Sequence, residues 1–558
     1  MKIVLLALNG RYSHSCPALF YVREQLRVNM PDCEVELRQY TINDPYYETL
    51  LSITAAEPDV VFLSVYIWNA RYMQRLAHDL KQLFPTMPVV LGGPQAGALV
   101  DEGAVTSWTV VRGEIEGIDR RFYTDLQEGT LAGEYIGRSG HSFPSPYQEH
   151  DFTDQLAKRY VYYESSRGCP FCCSYCLSSI DKGVRLKDVD QVKKELDLIL
   201  RHEPKIIKFV DRTFNVNSAR SLAIWQFLRQ SAARTRFHFE IAPDLFTDEM
   251  FIFLEDLEPG RFQFEIGLQS TNARVLAAVN RRIDTAVAKE NIARLSAMDN
   301  IHLHVDLILG LPHETADLFR RSFNEVFALA PHYLQMGLLK ILPGTAIADQ
   351  AEEFGIIHCR QPPYEILANR WLDHQTLRRL HLFGECVEAF YNNRYFRTVL
   401  LYIKETREDY FEFFDALLSV AQKREFFSRA PTQELLSSLL FELCRTMEDS
   451  RILHDLLAFD WLRCGHRYLP EHLQHVDTVA VRKKLQRIMA QNCPPLFDYQ
   501  SRAEFFKKGI FARFDAETLR YTGLTADGDG GYVGFLPQTQ TRVHTFQKAV
   551  ILPVSESG

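Results

Sequence analysis

Two series of short apolar runs, each run followed by a helical stretch, dominate the first two thirds of the chain and restrict its fold. In the first series KIVLLAL, EVELRQYTI, DVVFLSVYIW, PVVLGGP and WTVVRGE alternate with helical segments up to about residue 120. The second begins near residue 160 with YVYYESSRGC and continues through KIIKFVDRTF, RFHFEIAP, FQFEIGLQS, HLHVDLILGLP and YLQMGLLKILPGT. Strands buried on both faces and joined by helical crossovers make parallel sheets. The first series predicts a doubly wound, Rossmann-like α/β domain. Six units in the second predict a partial (β/α)6 barrel. Ligands in such folds sit at the carboxyl ends of the strands.

At 558 residues the chain exceeds a single hydrophobic core. Composition shifts divide it into a doubly wound domain over 1–135, a Ser-, Gly- and Pro-rich linker over 136–158, the barrel over 159–348, and a mostly helical, aromatic-rich domain over 349–558. No apolar run reaches the 18 residues of a membrane span. The apolar stretch Ile3–Leu8 is a first buried strand rather than a signal peptide, so a cytoplasmic protein is expected. A net charge of −8 gives no basic footprint, and nothing argues for a nucleic-acid partner.

The strand ends of the first domain are rich in small and polar residues: Asn9-Gly10, Ser64 to Asn69, Gly92-Gly93-Pro94 and Gly113-Glu114. Small residues let a flat or phosphate-bearing ligand approach the backbone. No G-x-G-x-x-G follows the first strand, so the dinucleotide fingerprint is missing.

Four of the 11 cysteines fall within eight residues, at 169, 172, 173 and 176. Those at 16, 33, 359, 386, 444, 464 and 493 are scattered and read as small buried hydrophobes. An odd number without a secretion signal argues against a disulfide framework. Closely spaced thiolates suit zinc or iron–sulfur. Structural zinc would need a second ligand pair, and no C-x-x-C follows. Three thiolates on one loop instead leave one iron of a cubane open for a ligand.

The segment Cys169-Pro-Phe-Cys172-Cys173-Ser-Tyr175-Cys176 carries a C-x₃-C-x₂-C spacing and so resembles the radical S-adenosylmethionine (SAM) enzymes. The resemblance places a [4Fe–4S] cluster on Cys169, Cys173 and Cys176 and leaves Cys172 a bystander. In the family the cluster reduces SAM to a 5′-deoxyadenosyl radical. Later segments match the family's strand ends in order: Phe209-Val-Asp211-Arg-Thr-Phe214, Glu240, Glu265-Ile-Gly267-Leu-Gln269-Ser270, Asn280-Arg281, Asp306 to Thr315, and Leu339 to Thr345. It implies SAM contacts from Tyr175, Glu240, Gln269, Ser270, Arg281 and Leu309. For Arg281 a surface position, and for Glu240 barrel packing, remain the rival readings.

A doubly wound domain ahead of such a barrel resembles the cobalamin (B12)-binding class of radical SAM enzymes. That resemblance implies cobalamin contacts from Asn9, Tyr12, Ser13, Ser64, Tyr66, Gly92, Gly93, Gly113 and Glu114. The D-x-H-x-x-G motif that supplies an axial histidine in other cobalamin domains is absent, and His14 reads as a surface residue. The chemistry implied is methyl transfer to an unactivated carbon or phosphorus of a small-molecule or peptide substrate. An external flavodoxin- or ferredoxin-type electron donor is implied with it. A radical rearrangement without methyl transfer and a non-catalytic cobalamin/Fe–S sensor are the alternatives. The C-terminal region resembles an uncharacterised domain of one bacterial branch and names no substrate.

Overall fold

The computed structural model describes residues 1–101, 108–180, 183–489, 501–526, 528–539 and 546–554; Cys493 lies outside these. The N-terminal domain is a six-stranded parallel sheet. Its strands are β1 (Lys2–Asn9), β2 (Glu34–Thr41), β3 (Val60–Ser64), β4 (Val89–Gly92), β5 (Thr109–Gly113) and β6 (Glu134–Gly137), in the order β2-β1-β3-β4-β5-β6. Ile3 to Leu8 are at most 2% exposed, as a central strand covered on both faces requires. The order reverses at β1 and β3, which opens a crevice at their carboxyl ends. Asn69 fixes that crevice: its Nδ2 donates to the carbonyls of Leu8 (3.0 Å) and Ser64 (3.1 Å), and its Oδ1 accepts from Tyr66 N (2.8 Å).

The sixth strand ends at Gly137, two residues past the expected domain boundary. The segment after it is not a loose tether. Asp151 is fully buried and takes two bonds from Arg23 of the N-terminal domain, at 2.5 and 2.8 Å. Tyr147 and Phe152 join the barrel core.

The expected strand YVYYESSRGC is two strands. β7 (Val161–Tyr163) belongs to the barrel, while β8 (Ser166–Cys169) pairs antiparallel with β9 (Gly183–Leu186) and carries the cysteine loop. Asp211 causes the break. Fully buried, it accepts from Ser165 N (2.9 Å), Ser165 Oγ (2.5 Å) and Ser166 Oγ (2.6 Å).

The barrel strands that follow are β10 (Ile206–Phe209), β11 (Arg236–Glu240), β12 (Phe262–Gln269), β13 (His302–Leu309) and β14 (Tyr333–Leu338). All are parallel, in the order β14-β13-β12-β11-β10-β7, an open six-stranded barrel. The helices between them begin at side-chain caps: Asp188, Asn217, Thr247, Asn272, Asp284 and Thr315 each accept a backbone N–H of the first turn. Burial alternates along β12 and β13. Phe262, Phe264, Ile266 and Leu268 pack outward on helices; Gln263, Glu265, Gly267 and Gln269 face the lumen. A lumen left open for ligands accounts for this polar inner face.

The C-terminal region is mostly helical, with a small hairpin (Ile357–His358 and Ile366–Ala368) and a three-stranded antiparallel sheet (Ile510–Asp515, Gly530–Thr539, Gln547–Ile551). It packs along the free edge of the barrel. Asn392 brackets Leu334 of β14, accepting from its N–H (2.8 Å) and donating to its carbonyl (3.0 Å), so the edge is capped by a side chain. The hairpin reaches the mouth, where Ile341 N donates to Tyr364 O and Ile366 N to Leu339 O, both at 2.9 Å. Among the described residues no helix is long and apolar enough to cross a membrane.

Candidate active site

The cysteine loop lies over the carboxyl end of the barrel and is held from below by the segment after β12. Ser174 N donates to Val279 O (2.9 Å), Asn280 Nδ2 to Cys172 O (2.8 Å) and Ile347 N to Ser174 O (2.9 Å). All ten described cysteines are free thiols; Cys173 is buried, Cys169 and Cys176 are partly buried, and Cys172 is exposed. Cys169 Sγ lies 3.7 Å from Thr213 Oγ1. Among the described residues no three His, Cys, Asp or Glu side chains gather around one point as a single metal ion requires. A cubane makes a different demand, one thiolate per iron. Cys169, Cys173 and Cys176 are three free thiols on one braced loop.

Arg281 is drawn into the site and is not a surface residue. Its Nη1 lies 3.8 Å from Cys173 Sγ, its Nη2 donates to Gly267 O (2.6 Å), and the guanidinium covers the Phe171 ring at 5.0 Å. Its Nε is buried with no partner. A cation with an unanswered donor beside the cysteines fits a carboxylate-bearing ligand such as SAM. Tyr175, half-buried on the same loop, stands beside it. Gln269 has a left-handed φ of 72° at the end of β12. Glu240, at the end of β11, is 3.7 Å from Arg212. A third of its side chain is open to the lumen, yet burial pushes its pKa up to about 7, against the pull of Arg212.

Two expected SAM contacts are placed differently. Ser270 is fully buried and its hydroxyl donates to Glu314 Oε1 (2.7 Å). Leu309 turns its side chain into the core, and its carbonyl accepts from Leu339 N. Both follow from strand alternation, which sends every second residue to the helix side.

Deeper in the lumen stand groups that the sequence reading gave no role. His238 Nε2 pairs with Glu265 at 3.1 Å, and His304 Nε2 contacts both Asp306 (2.9 Å) and Gln335 (3.1 Å). The bond from His238 holds the Glu265 carboxyl low. Burial opposes the His304 cation, but Asp306, Glu265 and Gln335 together outweigh it and raise the imidazole. The period-two spacing of these polar residues within otherwise apolar strands was the available signal.

A cavity of about 1220 Å³ runs between the strand ends of the N-terminal sheet and the barrel mouth. Asn9, Ser64, Tyr66, Gly92, Gly93, Gly113 and Glu114 line it, together with His14, Trp68, Arg212 and Leu342 to Gly344. Ser166, Gly168, Leu177, Ser178 and Ile180, which flank the cysteine loop, line the same space. Gly93 has φ +107°, and a Cβ there would lie 2.6 Å from Val65 O, so only glycine closes this turn. A large cavity floored by backbone at a topological switch point fits a bulky cofactor with an extended tail.

Tyr12 and Ser13 do not line it. Tyr12 is 61% exposed with Arg159 across its ring, and Ser13 O accepts from Tyr160 N (2.6 Å). That turn serves as a strut between the domains. Glu114 lines the cavity, but its carboxylate is held by Arg167 (3.3 Å) and Arg185. Arg167 also pairs with Glu116 (2.9 Å) and Glu164 (2.7 Å) and is sandwiched by Tyr21 and Phe143. His14 is half-buried in the cavity wall, bonded through Nδ1 to the Tyr162 hydroxyl, and not on the surface.

Comparison with known proteins agrees with this geometry. The B12 binding domain model matches residues 3–121, the Radical SAM superfamily model 163–326, and a model described as a protein of unknown function (DUF4080) 352–525. The cobalamin-dependent radical SAM methyltransferase TokK of Streptomyces tokunonensis is 27% identical over 54% of this chain and 50% of its own length. The 2-(S-pantetheinyl)-carbapenam-3-carboxylate methyltransferase of Streptantibioticus cattleyicolor is 27% identical over 50% of this chain and 46% of its own. The chain thus matches about half the length of these relatives. Among solved structures, OxsB with aqua-cobalamin bound shares the fold at TM-score 0.59 and 14% identity, covering 83% of this chain and 79% of that one. TsrM from Kitasatospora setae, with cobalamin and a [4Fe–4S] cluster bound, does so at 0.50 and 16%, covering 65% and 76%. The cofactors are a [4Fe–4S] cluster, SAM and cobalamin. With a parallel sheet matched by the B12 binding domain model, an open barrel matched by the Radical SAM superfamily model and one cavity between them, the chain combines a B12-binding domain with a radical SAM domain.

Proposed function

We propose that this chain is a cobalamin-dependent radical SAM methyltransferase acting on an unactivated carbon, or a phosphorus, of a small-molecule or peptide substrate. The observation that carries the reading is the shared cavity: the strand ends that would take cobalamin and the flanks of the cysteine loop wall one space. When bound, the cofactors would supply reductive SAM cleavage and a transferable methyl group.

The chain's own residues position and exclude. Cys169, Cys173 and Cys176 hold the cluster, and Cys172 stays outside it. Arg281 receives the SAM carboxylate with its unpartnered Nε, Glu240 and Gln269 face the SAM amine and ribose, and Tyr175 packs beside them. Ser64, Gly92 and Gly93 take the cobalamin tail, with Asn9, Tyr66 and Gly113 on the walls. His14 is the histidine among the cavity-lining residues; its Nδ1 is engaged by the Tyr162 hydroxyl, and its Nε2 would be the ring nitrogen free to contact a bound cobalamin. The His238–Glu265 and His304–Asp306 pairs face the substrate in the lumen. A flavodoxin- or ferredoxin-type donor and a cytoplasmic setting complete the reading.

The test is anaerobic reconstitution with SAM, a strong reductant and hydroxocobalamin, followed by mass spectrometry. Methyl transfer predicts 5′-deoxyadenosine and S-adenosylhomocysteine together. Deoxyadenosine alone indicates a rearrangement, and cobalamin retention without SAM cleavage indicates a sensor; either result overturns the proposal.

A further inference from the structure

A second cavity, of about 720 Å³, lies away from the cofactor space. It is enclosed by the end of helix Ala316–Ala328, residues 391–404, helix Ser450–Arg463, residues 521–524 and the tail strand Gln547–Ile551. Ala330 lines it just before β14 begins, so it sits at the amino end of the barrel strands, opposite the cysteine loop.

Its charges are one-sided. Arg394, Arg397, Lys404, Arg463 and Lys548 line it, and among the described residues no Asp or Glu does. This is a concentration of positive charge in a chain whose net charge is −8. The neighbouring acid is Asp460, itself fully buried and committed: it accepts from Thr398 N (2.8 Å) and Val399 N (3.2 Å) and pairs with Arg463 Nη2 at 2.8 Å. Among the described residues no carboxylate pairs with Arg394, Lys404 or Lys548, and gathering such cations in a partly enclosed space is unfavourable unless something neutralises them.

Two guanidiniums also carry unanswered donors. Arg463, its side chain 13% exposed, has a buried Nε with no partner. The Arg394 Nε is likewise buried and unpartnered, while its Nη1 reaches Pro331 O at 3.4 Å. Buried guanidinium N–H groups without acceptors are costly, and a phosphoryl or carboxylate group answers them with charge-assisted bonds. Phe327, Tyr391, Phe459 and Tyr521 supply an apolar wall, and the volume is that of a small-metabolite site.

We propose that this cavity binds a small multiply charged anion, a phosphorylated or polycarboxylate metabolite, held by Arg394, Lys404, Arg463 and Lys548. Such a ligand ties together three parts of the chain. Arg394 leans on the carbonyl two residues before β14, Arg463 ends a helix of the C-terminal domain, and Lys548 lies on the tail strand. Binding therefore stabilises the docking of the C-terminal domain and tail on the barrel.

The experiment uses the full chain with its cofactors and titrates pyrophosphate and citrate separately, at constant ionic strength against chloride, by calorimetry and thermal unfolding. The expected result is saturable binding tighter than about 1 mM for at least one of the two, with a rise in Tm. Preference between the probes identifies phosphoryl or carboxylate as the favoured group. Lys404→Gln with Lys548→Gln leaves the buried Arg463–Asp460 pair intact and should weaken binding by about tenfold or more, with Tm in chloride unchanged. No saturation by either probe at about 5 mM, or equal affinity in the double variant, overturns the proposal.

Discussion

Arg281 reaches to within 3.8 Å of the Cys173 sulfur while its other arm donates to the Gly267 carbonyl at 2.6 Å, so one side chain couples the cysteine loop to the end of β12. Arg281→Met should leave the iron content of reconstituted protein unchanged and weaken SAM binding by about tenfold or more, the value of a charge-assisted bond. Arg281→Lys should recover part of the loss, since it keeps the charge without the fork. Equilibrium binding under anaerobic conditions reads both; unchanged SAM affinity in the Met variant removes Arg281 from the site.

Gly93→Ala tests the floor of the large cavity. Its Cβ would press on the Val65 carbonyl in a left-handed turn. The strand end must shift, and cobalamin retention on gel filtration should fall several-fold while cluster assembly, on the far wall, is retained. Equal retention of cobalamin places the cofactor elsewhere.

Arg167 joins the domains through Glu114, Glu116 and Glu164. Arg167→Met leaves three partly buried carboxylates without their shared partner and should cost about 3 kcal/mol. Denaturant unfolding checks this, with early loss of the N-terminal domain as the expected form.

Glu314 is fully buried, with one oxygen accepting from Ser270 and the other unpartnered, and burial raises its pKa to about 8. A carboxyl that holds its proton more tightly when folded contributes stability at low pH. That contribution is fully present below the ordinary carboxylate range and is lost as pH rises towards about 8. The slope is at most about 1.4 kcal/mol per pH unit. Glu314→Gln should flatten the pH dependence of unfolding over this interval; an unaltered profile contradicts the assignment.

Much of this was legible in the sequence, for identifiable reasons. Parallel strands announce themselves as apolar runs, so five strands of the first sheet and the barrel strands lie in the expected runs, whereas β6, four residues with only Tyr135 and Gly137 buried, offers no such run. The C-x₃-C-x₂-C loop is local, and a local motif needs no tertiary information. What failed was orientation and partnership. Whether Ser270 or Gln269 faces the lumen depends on strand register; the diversion of Glu114 to Arg167 and Arg185, and of Tyr12 to Arg159, depends on residues far away in the chain. The break between β7 and β8 was hidden because its cause, Asp211, lies 46 residues from Ser165. The cationic cavity draws its walls from five separate segments and has no sequence signature.

The central claim is that Cys169, Cys173 and Cys176, and not Cys172, hold the cluster. Iron and sulfide analysis of anaerobically reconstituted protein tests it most directly. Wild type and Cys172→Ala should each be brown with about four irons and four sulfides per chain, and the Cys169→Ala/Cys173→Ala/Cys176→Ala variant should be colourless with almost none. Iron retained by the triple variant, or lost from Cys172→Ala alone, would contradict the account.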